Sequence, residues 1–238
     1  EIWALPLDFD LRGSHRWLQN VITHEFTHIV QIGKSMKAST RIPAVYLQGF
    51  TYEKEKRDDV LYGFPNSMFS IPIPGVAVPP WLAEGTAQYM DPSLSYDFWD
   101  SHRDMLLRDL AINDRLLSLG EMNNFGKKGI GSEAVYNQGF SFSNYLIQEF
   151  GEDVLPNISN ILSSHTFSIN KAIKRATDFS GDDLYLKWKN YITDNYNLQL
   201  TNVKNNNVEG KIIEGEGTTN LFPKWSPDGS RIAFISNK

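Results

Sequence analysis

The segment VITHEFTHIVQ, residues 21–31, constrains the fold most, because it places two histidines and a glutamate inside an otherwise apolar run. Apolar residues recur there at helical spacing and predict a helix from Ser14 to Gly33 with one buried face (Leu18, Ile22, Phe26 and Ile29). On that helix the side chains of His24 and His28 stand one turn apart on the same face. Both imidazoles can therefore bind one metal ion, at the distance of roughly 2 Å that zinc requires.

Glu25 completes the pattern HExxH, in which two histidines bind the metal and the glutamate serves as general base. Its side chain points about 100° away from that of His24, close enough to reach a water on the ion but not to ligate comfortably. The alternative is a helix whose histidines are surface groups or hydrogen-bonded core groups. A catalytic zinc ion needs three protein ligands and an open position, so the metal hypothesis requires another ligand from elsewhere.

Glu84, in the segment WLAEGTAQYM, is the best candidate for that third ligand. Pro80 is well placed to begin a helix here, and Gly85 allows a second helix to approach closely. A glutamate in an otherwise apolar helix is costly to bury unpaired, and a cation offsets that cost. The alternative is a glutamate that is favoured only by the dipole at the N-terminus of its helix.

Composition argues against nucleic acid as a partner and excludes cysteine as a metal ligand. The 238 residues are 41% hydrophobic, which is enough for a sizeable core, and the formal net charge is −5. No basic field attracts phosphate backbones, so nucleic acid is not expected as a partner. Cysteine is absent, so any metal must be bound by His, Asp or Glu. The longest apolar stretch, residues 67–85, carries four prolines, which argues against a transmembrane helix.

The spacing of apolar residues along the whole chain predicts an α+β fold that is mainly α. Residues 1–7 suit an edge strand, whereas residues 31–80 read as an irregular insertion that contains the Pro-rich loop. Helices are then expected to about Asn195, in four segments (95–113, 132–150, 168–177 and 181–196). A polar linker follows, so we expect one domain over residues 1–197 and a short β segment within residues 198–238.

Three motifs in this order resemble the gluzincin metallopeptidases. HEFTH at residues 24–28 precedes WLAEGTAQY at 81–89, and these are similar to the HExxH and W-x-x-E-G-x-A-x-Y elements of that family. The resemblance implies a zincin-like catalytic domain, built from an edge strand, the HExxH helix, a glutamate helix and a helical subdomain. It also implies that His24, His28 and Glu84 are zinc ligands and that Glu25 is the general base.

The third motif, AVYNQGF at residues 134–140, resembles the Y-x-K/Q-G segment of aminopeptidase N-like gluzincins. There the tyrosine donates a hydrogen bond to the developing oxyanion, so the resemblance gives that role to Tyr136; the alternative is an aromatic residue packed in the core. The 55 residues between His28 and Glu84 make a longer gap than the family pattern has. Residues 1–23 also lack the G-x-M-E-N element that holds a free amino terminus, so aminopeptidase specificity is not implied.

The C-terminal segment FPKWSPDGSRIAFISNK, residues 222–238, resembles one unit of a TolB-type β-propeller. Pro227 and Gly229 supply the chemistry of a tight turn before the strand RIAFIS. One such unit cannot bury its faces alone, so the resemblance implies that the rest of a propeller follows in a longer protein. The alternative is an isolated β-hairpin packed on the catalytic domain.

These features predict a zinc metallopeptidase that hydrolyses peptide bonds of a peptide or protein substrate. One alternative is a catalytically silent zincin-like scaffold that acts with a propeller as a protein-interaction module. Another is metal-dependent hydrolysis of a small ester or amide. The propeller resemblance implies an extracytoplasmic location, periplasmic or exported, in a bacterium.

Overall fold

The computed structural model describes residues 17–35, 45–51, 67–73, 78–90, 101–125, 131–164, 166–217 and 219–238. In these residues the chain is mainly helical and contains two small antiparallel sheets, in agreement with the predicted α+β class. The predicted edge strand at residues 1–7 lies outside the described residues. None of the described helices has both the length and the hydropathy needed to cross a bilayer.

Along the described residues, one helix is followed by two paired strands, then by a run of helices and finally by two more strands. The helices are α1 (Trp17–Ser35), α2 (Pro80–Tyr89), α3 (Ser101–Ile112), α4 (Gly131–Phe150), α5 (Val154–Ser164), α6 (Ile169–Thr177) and α7 (Gly181–Asn205). The strands are β1 (Val45–Thr51), β2 (Ser67–Ile73), β3 (Asn220–Trp225) and β4 (Ile232–Ser236). A 3₁₀ turn, Glu121–Asn123, lies between α3 and α4.

The predicted helices α4, α6 and α7 are confirmed, and their ends follow local chemistry. Gly151, with a φ of 88°, follows the last residue of α4. The side chain of Ser180 accepts a hydrogen bond from the backbone N–H of Asp183 and caps α7. Helix α7 continues to Asn205, so the residues just after 197 are helical rather than a linker. The division of the chain into two domains stays a prediction.

The core of the helical part forms around α4. Its largest fully buried side chains include Trp81 of α2, Phe142 of α4 and Trp188 of α7. The ring centroids of Trp81 and Phe142 are 5.2 Å apart, and those of Phe142 and Trp188 are 5.6 Å apart. Buried leucines and isoleucines of α5, α6 and α7 fill the rest (Leu155, Ile158, Leu162, Ile173 and Leu184).

Two glycines allow α2 and α4 to pack closely. A Cβ atom added at Gly85 of α2 would collide with the backbone carbonyl of Gly139 in α4, and also with Ser143 Oγ at 2.6 Å. A Cβ at Gly139 would collide with the carbonyl oxygen of Trp81 and lie 3.0 Å from its Cα atom. The helices therefore touch backbone to backbone, at a distance that no other residue type permits.

Helix α1 packs on α2 and α5 through its polar side. Gln31 and Ser35 are buried on this side, which they share with His24 and His28 at positions i, i+4, i+7 and i+11. The predicted buried face was wrong, because Ile22, Phe26 and Ile29 are 51%, 63% and 69% exposed. The apolar spacing identified the helix correctly, but the face that meets the other helices carries the histidines and Gln31 instead.

The region between α1 and α2 contains a β-hairpin that the sequence did not predict. Strands β1 and β2 pair antiparallel from Val45 opposite Ile73 to Thr51 opposite Ser67. The prolines of this region led to the prediction of an irregular loop, which was wrong for residues 45–51 and 67–73. A two-stranded sheet has only edge strands, so Pro72 can stand inside β2 without breaking a central ladder.

The C-terminal strands β3 and β4 form a separate antiparallel hairpin. The strand predicted at RIAFIS is confirmed as β4, and Gly229 has a φ of 71° in the turn before it. Asp228 accepts hydrogen bonds from the hydroxyls of Ser226 and Ser230, which hold this turn. Leu221 and Trp225 are 42% and 67% exposed. That the hairpin of β3 and β4 belongs to a propeller stays a prediction.

We predict that Gly139→Ala lowers the free energy of unfolding by about 3 kcal/mol, because the new methyl group must push α2 away from α4. Urea denaturation followed by far-UV circular dichroism measures the change. Gly33→Ala in α1 is the matched control, since a Cβ there meets nothing within 4 Å and alanine favours a helix. A loss for Gly139→Ala no larger than for Gly33→Ala would contradict the close packing.

Candidate metal centre

Helices α1 and α2 bring His24, His28 and Glu84 together at one point. His24 Nε2 lies 3.0 Å from His28 Nε2 and 3.0 Å from Glu84 Oε2. His28 Nε2 lies 3.3 Å from the same carboxylate oxygen. The three side chains are only 22%, 16% and 12% exposed, so their polar atoms meet largely away from water. The sequence named these three residues as metal ligands, although 55 residues separate His28 from Glu84.

The triangle of two nitrogens and one oxygen has the dimensions of a metal coordination shell. Ligand atoms at roughly 2 Å from a tetrahedral ion lie about 3.3 Å from one another. Electron-rich atoms this close repel unless a proton or a cation lies among them. Elsewhere in the described residues, no other three His, Asp or Glu side chains converge in this way. Two imidazoles and a carboxylate suit zinc and several other divalent transition metals.

The pKa values of Glu84 and His28 reflect the interactions within the triad. Burial alone would raise the pKa of Glu84, but the hydrogen bonds and charges of His24 and His28 together lower it to about 2. Burial alone would lower the pKa of His28, yet its hydrogen bond to Glu84 and the nearby carboxylates raise it. Glu84 is therefore ionised at neutral pH, which is the form that binds a metal ion.

Tyr136 of α4 points its hydroxyl at the triad and is hydrogen-bonded to Glu84. Its ring stacks on Phe125, with centroids 5.8 Å apart and the ring planes at 26°. Burial, followed by the charge of Glu84 and the hydrogen bond to it, raises the pKa of Tyr136 well above its ordinary value. The phenol thus stays protonated at neutral pH and can donate a hydrogen bond beside the triad.

Glu25 stands on the exposed side of α1, next to the two histidines in the sequence. Its charge is one of the causes of the raised pKa of His28, after the hydrogen bond and the charge of Glu84. An exposed carboxylate at this position remains accessible to water and to a bound molecule. It can therefore accept a proton from a water molecule held at the triad.

The remaining residues of the Y-x-Q-G segment have structural roles. The amide of Gln138 accepts a hydrogen bond from Leu117 N at 2.8 Å and donates one to Leu117 O at 3.0 Å. Gln138 is fully buried, so this pair fixes the loop after α3 against α4. Gly139 provides the close contact with α2. Together these two contacts hold the part of α4 that carries Tyr136 next to Glu84 of α2.

The sequence did not predict the polar cluster of Gln88, Arg103 and Glu133, which lies next to Tyr136. Gln88 of α2, with its amide oxygen turned towards Arg103, accepts from Arg103 Nη1 at 2.6 Å and donates to Tyr136 O at 3.3 Å. Arg103 Nε lies 3.8 Å from Glu133 Oε2 of α4. Their spacing from the site residues could have identified two of them: Gln88 follows Glu84 by one helical turn, and Glu133 precedes Tyr136 by three residues.

The ring nitrogen His28 Nδ1 is buried and has no hydrogen-bond partner among the described residues. Histidines that bind a metal through one ring nitrogen commonly donate the other N–H to a protein or water acceptor. Gln31 Oε1, three residues later on α1, is buried and lacks a donor within the same described part of the chain. Gln31 was also missed by sequence reasoning, although it continues the spacing of His24 and His28.

Comparison with models of protein families, with curated proteins and with solved structures gave no match. The gluzincin resemblance therefore rests on the three sequence motifs and stays a prediction.

We predict that the metal-free protein gains stability from the triad mainly between about pH 4.5 and 6.5. The lowered pKa of Glu84 gives stability that is present above its ordinary value of 4.5 and is lost as the pH falls towards 2. The raised pKa of His28 gives stability that is present below 6.5 and is lost as the pH rises through its folded value. Urea unfolding in a chelator, at pH 3, 5.5 and 9, measures both limbs.

Glu84→Gln should remove much of this pH dependence, because the neutral amide cannot attract a protonated histidine. Glu152→Gln is the control, since it replaces an exposed carboxylate after α4. If wild type and Glu84→Gln change in stability equally between pH 5.5 and 3, the interaction within the triad is too weak to matter.

Proposed function

We propose that this protein is a zinc-dependent peptidase, whose zinc ligands are His24, His28 and Glu84. The observation that carries the proposal is the convergence of their three ligand atoms at 3.0 to 3.3 Å from one another. Such a group needs a shared proton or a cation among its atoms, and its spacing matches that of ligands around a metal ion. Three protein ligands also leave a coordination position open, as catalytic zinc sites do.

Zinc at this site would lower the pKa of a water molecule towards 7 and polarise the carbonyl group of the scissile bond. Glu25 would accept the proton of that water and later pass it to the departing amine. Its exposure suits this role, because the same carboxylate must reach first the water and then the leaving group. Glu84 cannot take that role, since it is buried and is directed at both histidines.

Tyr136 would stabilise the oxyanion that forms on the scissile carbonyl. A hydrogen-bond donor in this role must be protonated, and burial together with Glu84 keeps the phenol protonated. It must also be held in place before the substrate arrives. The stacked ring of Phe125 and the contact of α4 with α2 provide that positioning.

The wider setting of the enzyme is also a proposal. The order of HEFTH, WLAEGTAQY and AVYNQG is similar to that of the gluzincins, which supports a zincin-like catalytic domain. The hairpin of β3 and β4 has a WSPDG turn and exposed apolar side chains on its strands, which supports a first propeller unit after the catalytic domain. By analogy with TolB-type propellers, we propose an extracytoplasmic location and a peptide or protein substrate.

We predict that Glu25→Gln binds zinc with the affinity of the wild type and loses at least a thousandfold in kcat on a peptide substrate. The amide keeps the size of the side chain but cannot accept the proton of water. Zinc affinity is measured by competition with a chelating dye, and turnover by cleavage of a fluorogenic peptide library. Glu149→Gln, an exposed carboxylate on α4, should retain full activity.

Full peptidase activity of Glu25→Gln would contradict the assignment of the general base. Equimolar zinc without cleavage of any peptide by the wild type would instead favour a silent scaffold. Loss of zinc in Glu84→Gln, with retention in Glu25→Gln, would separate ligand from base.

We predict that Tyr136→Phe keeps zinc and lowers kcat by about a hundredfold, because one donor to the oxyanion is lost. KM should change little, since the hydroxyl acts mainly in the transition state. Tyr191→Phe on α7 is the matched control, because it removes the same kind of hydroxyl from a half-exposed tyrosine far along the chain. An equal effect of both substitutions on kcat would exclude the oxyanion role.

A further inference from the structure

Gln31 is a buried amide one helical turn beyond His28, on the side of α1 that packs against α2 and α5. It is only 6% exposed. Burying an amide costs free energy unless hydrogen bonds replace those it makes with water. A leucine or methionine would fill the same space without that cost, so the polar group needs an explanation beyond packing.

The hydrogen bonds of Gln31 join three helices. Its Nε2 atom lies 3.1 Å from Thr86 Oγ1 and 3.5 Å from Leu82 O on α2, and 3.4 Å from Ser159 Oγ on α5. Leu82 and Thr86 lie two residues before and two residues after Glu84. The amide of α1 therefore attaches to α2 on both sides of the third ligand.

This attachment fixes the position of α1 relative to α2, which no covalent bond near the site fixes. Glu84 stands on α2 and the two histidines on α1, so their distances depend on how α1 lies along α2. Apolar contacts alone let helices slide by small amounts, whereas hydrogen bonds have preferred lengths and directions. A shift of about 1 Å would separate Glu84 Oε2 from the imidazoles by more than a coordination sphere tolerates.

We propose that Gln31 is a positioning residue of the metal centre, which holds α1 against α2 so that both imidazoles meet Glu84. This inference rests on the proposed function, because it assigns Gln31 to the same zinc site. Gln31 acts through the position of the ligands. Its amide nitrogen is hydrogen-bonded to Thr86 and Ser159 on the neighbouring helices rather than to a member of the triad.

The first test replaces the amide by an apolar side chain of similar length. Gln31→Met should raise the zinc dissociation constant about tenfold in competition with a chelator. The visible absorption bands of the cobalt-substituted protein should also shift, because the ligand geometry around the ion changes. Ser35→Ala is the matched control on the same side of α1: Ser35 is fully buried, and its hydroxyl bonds to no described residue. It should leave the zinc affinity within twofold of wild type.

The second test removes the partner of the amide from the other helix. Thr86→Val deletes the nearest acceptor without changing α1, so it should weaken zinc binding in the same direction. The losses of Gln31→Met and Thr86→Val should be less than additive in the double variant, because both substitutions remove the contact between Gln31 and Thr86. This variant also keeps the proposal testable if Gln31→Met does not fold.

The outcomes separate this inference from the proposed function. Tight zinc binding by wild type, with unchanged affinity and cobalt spectrum in both single variants, overturns the role of Gln31 and leaves the metal site intact. Full additivity in the double variant also overturns it, because the two residues would then act independently. A wild type that binds no zinc overturns the proposed function and this inference together.

Discussion

The contact between the backbones of α2 and α4 determines the arrangement of the candidate centre. Gly85 and Gly139 bring the two helices so close that a methyl group at either position would collide with main-chain atoms. Glu84 precedes one glycine and Tyr136 lies three residues before the other. Their side chains therefore meet because of a contact in which neither takes part. The glycines explain why Glu84 of α2 and Tyr136 of α4 can lie next to each other.

The second constraint is electrostatic. A buried carboxylate, two imidazoles and a phenol are gathered where few water molecules reach, which costs free energy unless each polar atom finds a partner. Their mutual hydrogen bonds satisfy some of these atoms, and the lowered pKa of Glu84 records that interaction. A divalent cation would satisfy the nitrogens and the oxygen together. The fold therefore already favours the ionised form of Glu84, which is the form that metal binding would require.

The sequence predicted the parts of this protein that depend on local spacing. HExxH spacing identified His24 and His28, and the cost of burying Glu84 identified the third member of the triad. It failed where the answer depended on packing partners. Apolar spacing in α1 predicted that Ile22 and Phe26 are buried, yet both are exposed. The pairing of β1 with β2 depends on residues far apart in the chain, and Pro72 concealed it.

The polar side of α1 is buried and its apolar side is exposed because the two histidines must face Glu84 on α2. A helix that directs two histidines at a glutamate on another helix must turn that side towards its neighbours, whatever its apolar residues favour. The buried stripe then needs polar residues whose hydrogen bonds lie on the neighbouring helices, and Gln31 with Thr86 and Ser159 meets that need. Hydrophobic periodicity identifies the helix but misassigns its buried face, because the interactions that decide the face are directional and polar. A polar residue at the spacing of the histidines is the better guide to the buried side of such a helix.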